Sequence, residues 1–168
     1  MNQFNLGMLM LRLVFGLFFV AHGYNKVFRG GKLAGTARWF AGIGMKWPQW
    51  QARLAASTEI GAGLLLASGL LVPLASAGMI GLMVVAIVVT HWKNGFFIFR
   101  PGEGWEYCAS IATAAWVIAT VGPGEWSLDH AFDTEWAGWT RAIVAGVVGL
   151  GGAVLQLAVS YRKPPANA

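Results

Sequence analysis

The sequence predicts an all-α membrane protein, a bundle of transmembrane helices with almost no soluble domain. Of its 168 residues, 57% are hydrophobic and only 11% are charged, whereas a soluble globular domain carries about 25% charged residues. So few charges cannot cover a surface that faces water, but they suffice when most of the surface faces lipid. The length corresponds to a single domain, and the mean hydropathy of +0.58 agrees with a lipid environment.

Five apolar segments are long enough to cross a bilayer, which takes about 20 residues in a helix. The short alternating segments that build a membrane β-barrel do not occur in the sequence. We therefore expect a four-helix membrane core within residues 1–137, and a fifth transmembrane helix with a basic tail within residues 138–168. The predicted spans are residues 6–28, 50–71, 73–92, 105–121 and about 138–161.

Tryptophans and small residues support this division. Eight of the nine tryptophans lie near the ends of predicted spans, as in an interfacial aromatic belt, and only Trp116 lies in the middle of one. In the fifth span, Ala145, Gly149 and Ala153 recur every four residues. Such a stripe of small residues predicts close packing of this helix on another.

Loop charges predict the orientation. Residues 29–49 contain four basic residues and no acids, and the tail contains Arg162 and Lys163, whereas the loop after the fourth span is acidic. Five spans place both basic segments on one side, which the positive-inside rule makes cytoplasmic. We expect a multi-pass protein of the cell (inner) membrane with its N-terminus outside and its C-terminus in the cytoplasm. Within the first loop, Leu33, Ala37 and Phe40 share one face of a short interfacial helix.

Several ionisable residues fall inside or at the ends of the predicted spans. Such groups are costly in lipid, usually face the interior of the bundle and often mark functional sites. Depth estimates at about 1.5 Å per residue suggest that most of them converge in the cytoplasmic half. The predicted proton or quinone site consists of His22, Glu59, His91, Glu106 and Tyr107, supported by Arg12, Asn25, Lys26 and Asn94.

Histidine titrates near neutral pH and can relay protons, and the same groups can hydrogen-bond the carbonyl oxygens of a quinone. The alternative is structural: these side chains pair only to hold the helices together. Arg12 lies higher in the membrane, from where it can extend outward or reach towards Glu59. A metal site is the weaker hypothesis, because the histidines are far apart and no compact ligand spacing occurs; no metal is expected.

The order of several short motifs resembles the DoxX family from residue 7 to about residue 133. The resemblance implies a four-helix membrane core, to which the fifth span is an addition. It also implies a link to membrane oxidoreductase systems, including subunits similar to those of thiosulfate:quinone oxidoreductase and complexes that act against oxidative stress. It supplies no catalytic residues. The matching stretches are residues 11–13, 21–28, 35–40, 59–64 (EIGAGL), 91–97 (HWKNGFF), 104–107 (GWEY) and 122–129 (GPGEWSLD).

Three functional hypotheses follow. The first is an integral membrane subunit of a quinone- or thiol-linked redox complex that binds quinone. The second is a non-catalytic scaffold whose basic loop anchors soluble oxidoreductases, and the third is a small proton or metal transporter. The expected partners are the lipid bilayer and soluble or membrane oxidoreductases, and self-association is left open. Nucleic acid is not expected, because the basic residues lie in the loops of a membrane protein.

Overall fold

The computed structural model describes residues 3–136 and 138–163, which contain helices and no named strand. The all-α fold class is therefore confirmed, while residues 164–168 of the expected basic tail lie outside the described residues. The α-helices are α1 (Gln3–Phe28), α2 (Lys32–Gly42), α3 (Pro48–Ser68), α4 (Val72–Ala86), α5 (Glu106–Val121), α6 (Leu128–Ala131) and α7 (Thr140–Ser160). A π-helical turn (Ile87–His91) and a 3-10 turn (Trp92–Asn94) extend α4.

Each predicted span coincides with a helix to within about three residues. Within the described residues, three helical segments are long and apolar enough to cross a membrane: Gln3–Phe28, Val72–Asn94 and Thr140–Ser160. Helix α5 is apolar but shorter, with 16 residues. Helix α3 is long enough, with 21 residues, but it is less apolar because it carries polar side chains, some of them in the interior of the bundle.

Helices α1 and α3 form the closest pair of the bundle. A Cβ atom added at Gly16 would lie 2.6 Å from the carbonyl oxygen of Gly63, and one added at Gly63 would lie 2.5 Å from that of Gly16. Only glycine permits backbones to approach this closely, and in lipid such packing drives helix association. Helix α4 packs against α3 and α5, which completes a four-helix core.

Helix α7 lies outside this core and packs mainly on α4. The predicted contact of its small-residue stripe is confirmed, because Ala145, Gly149 and Ala153 are all buried. At one end, the indole N–H of Trp116 donates to the carbonyl oxygen of Ala142 at 3.2 Å. At the other end, the chain around Tyr161 pairs with the chain around Met45, so both ends of α7 are attached to the core.

The short helix α2 and the α2–α3 loop cover one end of the bundle, here called the α2 end. Helix α2 packs against α1 and α3. Ala37 is buried and Leu33 and Phe40 are half-buried, whereas Arg38 is exposed. The amphipathic face predicted for this segment is therefore confirmed.

At the opposite end, the acidic loop folds back onto the bundle. Asp129, only 1% exposed, accepts hydrogen bonds from the backbone N–H groups of Leu71 and Val72 at 2.8 and 3.0 Å. These N–H groups lie at the start of α4, where no carbonyl oxygen of the helix is available to accept their hydrogen bonds. Arg12 is fully buried and donates to the carbonyl oxygen of Trp126. Of the two orientations considered for Arg12, the structure has the one directed away from Glu59.

Candidate ligand cavity

A cavity of about 780 Å³ extends from the interior of the core to the groove between α3 and α7. Most of its wall is apolar, with Phe19, Met83, Ile111 and Leu155 among the lining residues. Small-molecule sites have volumes of roughly 300–1,000 Å³ and combine apolar walls with a few polar groups. Ionisable side chains line this cavity as well, and five of them were predicted as site residues: His22, Lys26, Glu59, His91 and Tyr107.

An ion pair between Lys26 and Glu59 forms the deeper polar group. Lys26 Nζ lies 2.6 Å from Glu59 Oε1, and the two side chains are 21% and 5% exposed. The pair forms because Gly23 lets α1 approach α3: a Cβ at Gly23 would lie 3.0 Å from Glu59 Cβ. Lys26 lies one turn further along α1 and reaches the carboxylate. His22 is close enough to Glu59 for an electrostatic interaction, and Glu59 Oε2 has no protein partner among the described residues.

His91 and Tyr107 form a second polar group near the α2 end. His91 is the last residue of the π-helical turn, a geometry that often occurs at functional sites. His91 Nδ1 lies 2.9 Å from the carbonyl oxygen of Glu103. Because a carbonyl oxygen only accepts, Nδ1 carries the hydrogen, and in the neutral ring Nε2 is an acceptor. Asn94 donates to the carbonyl oxygens of Gly102 and Glu103, which holds this loop in place.

The two polar groups lie apart along the helix axes. A Cβ at Gly78 would contact both Thr58 and Ala62, so Glu59 lies near the level of Gly78. His91 follows Gly78 by about thirteen residues, which at about 1.5 Å per residue corresponds to a separation on the order of 15–20 Å. The convergence of Glu59 and His91 expected from depth estimates is therefore incomplete. Glu59 and His91 line one elongated cavity, but a single quinone ring cannot contact both side chains.

Other predicted site residues lie outside the cavity. Glu106 faces a shallow groove beside Phe96 and accepts a hydrogen bond from the backbone N–H of Ile98 at 3.1 Å. Its neighbour Tyr107 lines the cavity because consecutive residues of a helix point about 100° apart. Asn25 is exposed and does not line the cavity. The role of the residues inside the cavity in proton or quinone chemistry stays a prediction.

Sequence reasoning missed one polar pair. Gln156 Nε2 donates to Gln51 Oε1 at 2.7 Å, which joins α7 to α3 across the cavity. Gln156 is the only amide side chain in α7, so a search for polar residues that included amides would have found it. Within the described residues, no group of three or more His, Cys, Asp and Glu side chains is arranged to hold a metal ion.

Comparison with known families gives one match. The family model DoxX matches residues 7–92, about half of the chain. The match includes most of α1, all of α2 to α4 and the π-helical turn, and thus His22, Lys26, Glu59 and His91. Tyr107 and the whole of α7 lie beyond it. Comparisons with curated proteins and with solved structures gave no match.

Proposed function

Because this chain belongs to the DoxX family of helical membrane proteins, we propose that it is an integral membrane subunit of a quinone- or thiol-linked redox complex and that it binds quinone. The observation that carries the proposal is the Lys26–Glu59 ion pair in the wall of a largely apolar cavity, which His22 also lines. Ionisable groups at membrane depth are functional-site candidates because lipid makes them costly.

The chemistry of the cavity suits a quinone head. The apolar wall accommodates the ring, and the ammonium group of Lys26 has hydrogens besides the one directed at Glu59. One of these can be donated to a quinone carbonyl oxygen. A bound quinone would accept two electrons from an oxidoreductase partner and two protons from the aqueous phase, relayed by His22 and by the Lys26–Glu59 pair. His91 and Tyr107, near the α2 end, would exchange protons with the aqueous phase.

Binding of a short-chain benzoquinone to the purified protein in liposomes tests this proposal. We expect Lys26→Met, which removes the donor to the quinone carbonyl oxygen, and Glu59→Gln, which removes the charge that holds this donor in place, each to weaken binding at least about tenfold, since a hydrogen bond to a charged group contributes roughly 1.5–3 kcal/mol. Tryptophan fluorescence quenching gives the affinity. Glu106→Gln is the matched control, because Glu106 lies outside the cavity, and it should bind like the wild type. Unchanged binding in both cavity variants would refute the proposal.

We further propose that the protein resides in the cell (inner) membrane with the α2 end in the cytoplasm. Exposed basic residues gather at this end, whereas the opposite end exposes Asp133 and Glu135. An excess of lysine and arginine marks cytoplasmic segments. The basic surface of the α2 end consists of Arg29, Lys32, Arg38, Lys46 and Arg53.

This basic surface supports a second candidate function, a scaffold that anchors an acidic soluble oxidoreductase. Charge complementarity across an interface accelerates encounter and is weakened by salt. Replacing Arg29, Lys32, Arg38 and Lys46 with glutamine should release such an enzyme from proteoliposomes at low salt, where the wild type retains it. A topology assay serves as the control for correct insertion. Equal retention by a correctly inserted variant would exclude this function.

A further inference from the structure

We infer that a quinone with a long apolar tail enters the cavity from the bilayer between α3 and α7, and that its tail lies in this opening. The inference rests on the proposed function and assigns the route and the tail site. Leu54 on α3 and Leu155 on α7 both line the cavity, yet they are 48% and 65% exposed. A side chain can line the cavity and also be exposed on the outer surface only where the cavity opens to the outside. At this position the outside is lipid.

The packing of α7 explains why the opening exists. Helix α7 rests on α4 through Gly149, whose added Cβ would lie 2.9 Å from the carbonyl oxygen of Ala77. Its packing on α4 is far more extensive than any contact that it makes with α3 among the described residues. In the described part of the chain, one side-chain hydrogen bond joins α3 to α7, between Gln51 and Gln156. Both glutamines lie near the α2 end of their helices, so this bond closes the polar end of the opening and leaves the apolar part free.

The walls of the opening suit a tail rather than a head. Gly152 lines the opening and leaves space, because a Cβ added there would meet nothing within 4 Å. Apart from Gln156 and Ser160, both near the α2 end, the residues of α7 in the lining are apolar or glycine. A hydrocarbon tail needs no hydrogen bonds, whereas a quinone head buried there would leave its carbonyl oxygens unpaired. The head would therefore lie at Lys26 and Glu59, with the tail extending to the lipid.

Two tryptophan variants test the route. Gly152→Trp places a large side chain in the opening. Gly151→Trp, at the preceding position of α7, points away from the cavity into equally open space. We expect Gly152→Trp to weaken binding of a long-tailed quinone at least about tenfold and to leave a short-chain analogue unaffected. Gly151→Trp should bind both like the wild type.

Other outcomes are equally decisive. Unchanged affinity of Gly152→Trp for the long-tailed quinone would overturn the route, and so would an equal loss for both analogues, which would indicate that the head lies there. If the wild type binds neither analogue, the proposed function itself fails. Should the variants fold poorly, a photoreactive group on the tail can be used with the wild type. Labelling of α3 and α7 supports the route, and labelling confined to α1 and α5 overturns it.

Discussion

Replacing Lys26 with methionine should lower the free energy of unfolding by about 3–5 kcal/mol, the range for removal of one partner from a buried ion pair. Glu59 is then left charged in the interior, with neither carboxylate oxygen bonded to a cation. Its side chain is only 5% exposed, so water does not compensate for the loss. Denaturant titration in mixed micelles, followed by tryptophan fluorescence, gives the change.

A second variant separates the ion pair from simple packing. Adding Glu59→Gln to Lys26→Met removes the uncompensated charge, and the double variant should regain most of the lost stability. Lys93→Met is the control, because Lys93 is exposed and such substitutions usually change stability by less than about 0.5 kcal/mol. If Lys26→Met alone is as stable as the wild type, the Lys26–Glu59 pair does not hold α1 against α3.

Replacing Asp129 with alanine should destabilise the opposite end of the bundle by about 3 kcal/mol or more. The carboxylate accepts hydrogen bonds from two backbone N–H groups at the start of α4. A hydrogen bond to a charged group contributes roughly 1.5–3 kcal/mol. Asp129 also provides a negative charge near the buried guanidinium of Arg12, which would lose that compensation. The same denaturant titration measures the effect.

Asp133→Ala is the matched control for this variant. Asp133 belongs to the same acidic loop but is exposed, so its replacement should change stability little. Binding of a short-chain quinone should be unaffected in Asp129→Ala while the protein is folded, because Asp129 does not line the cavity. A destabilisation equal to that of Asp133→Ala would show that the acidic loop does not fasten the start of α4.

These two substitutions act at different levels of the bundle and on different kinds of contact. The Lys26–Glu59 pair joins α1 to α3 beside the cavity, whereas Asp129 joins the loop after α5 to the turn between α3 and α4. We therefore expect ligand binding to respond to the first and not to the second. A loss of binding in the Lys26 variant alone would show that the Lys26–Glu59 pair contributes to ligand binding and not only to stability.

The membrane character, the positions of the helices and the contact face of α7 were determined by the sequence alone, because they depend on local composition and spacing. Long apolar segments define the spans, and the small residues at 145, 149 and 153 define a face whatever it packs against. The presence of buried charges at Arg12 and Glu59 was also evident, since both lie within apolar segments.

Which of these charges meet was decided only by the tertiary structure. A shift of one residue rotates a side chain by about 100° around its helix, which separates Glu106 from Tyr107. Depth estimates do not include that rotation or the closeness of two helices, so they cannot show that Gly23 brings Lys26 to Glu59. The return of Asp129 to the start of α4 and the wall that α7 adds to the cavity are contacts between residues far apart in the chain. No local pattern encodes such contacts, because they depend on how all the helices pack together.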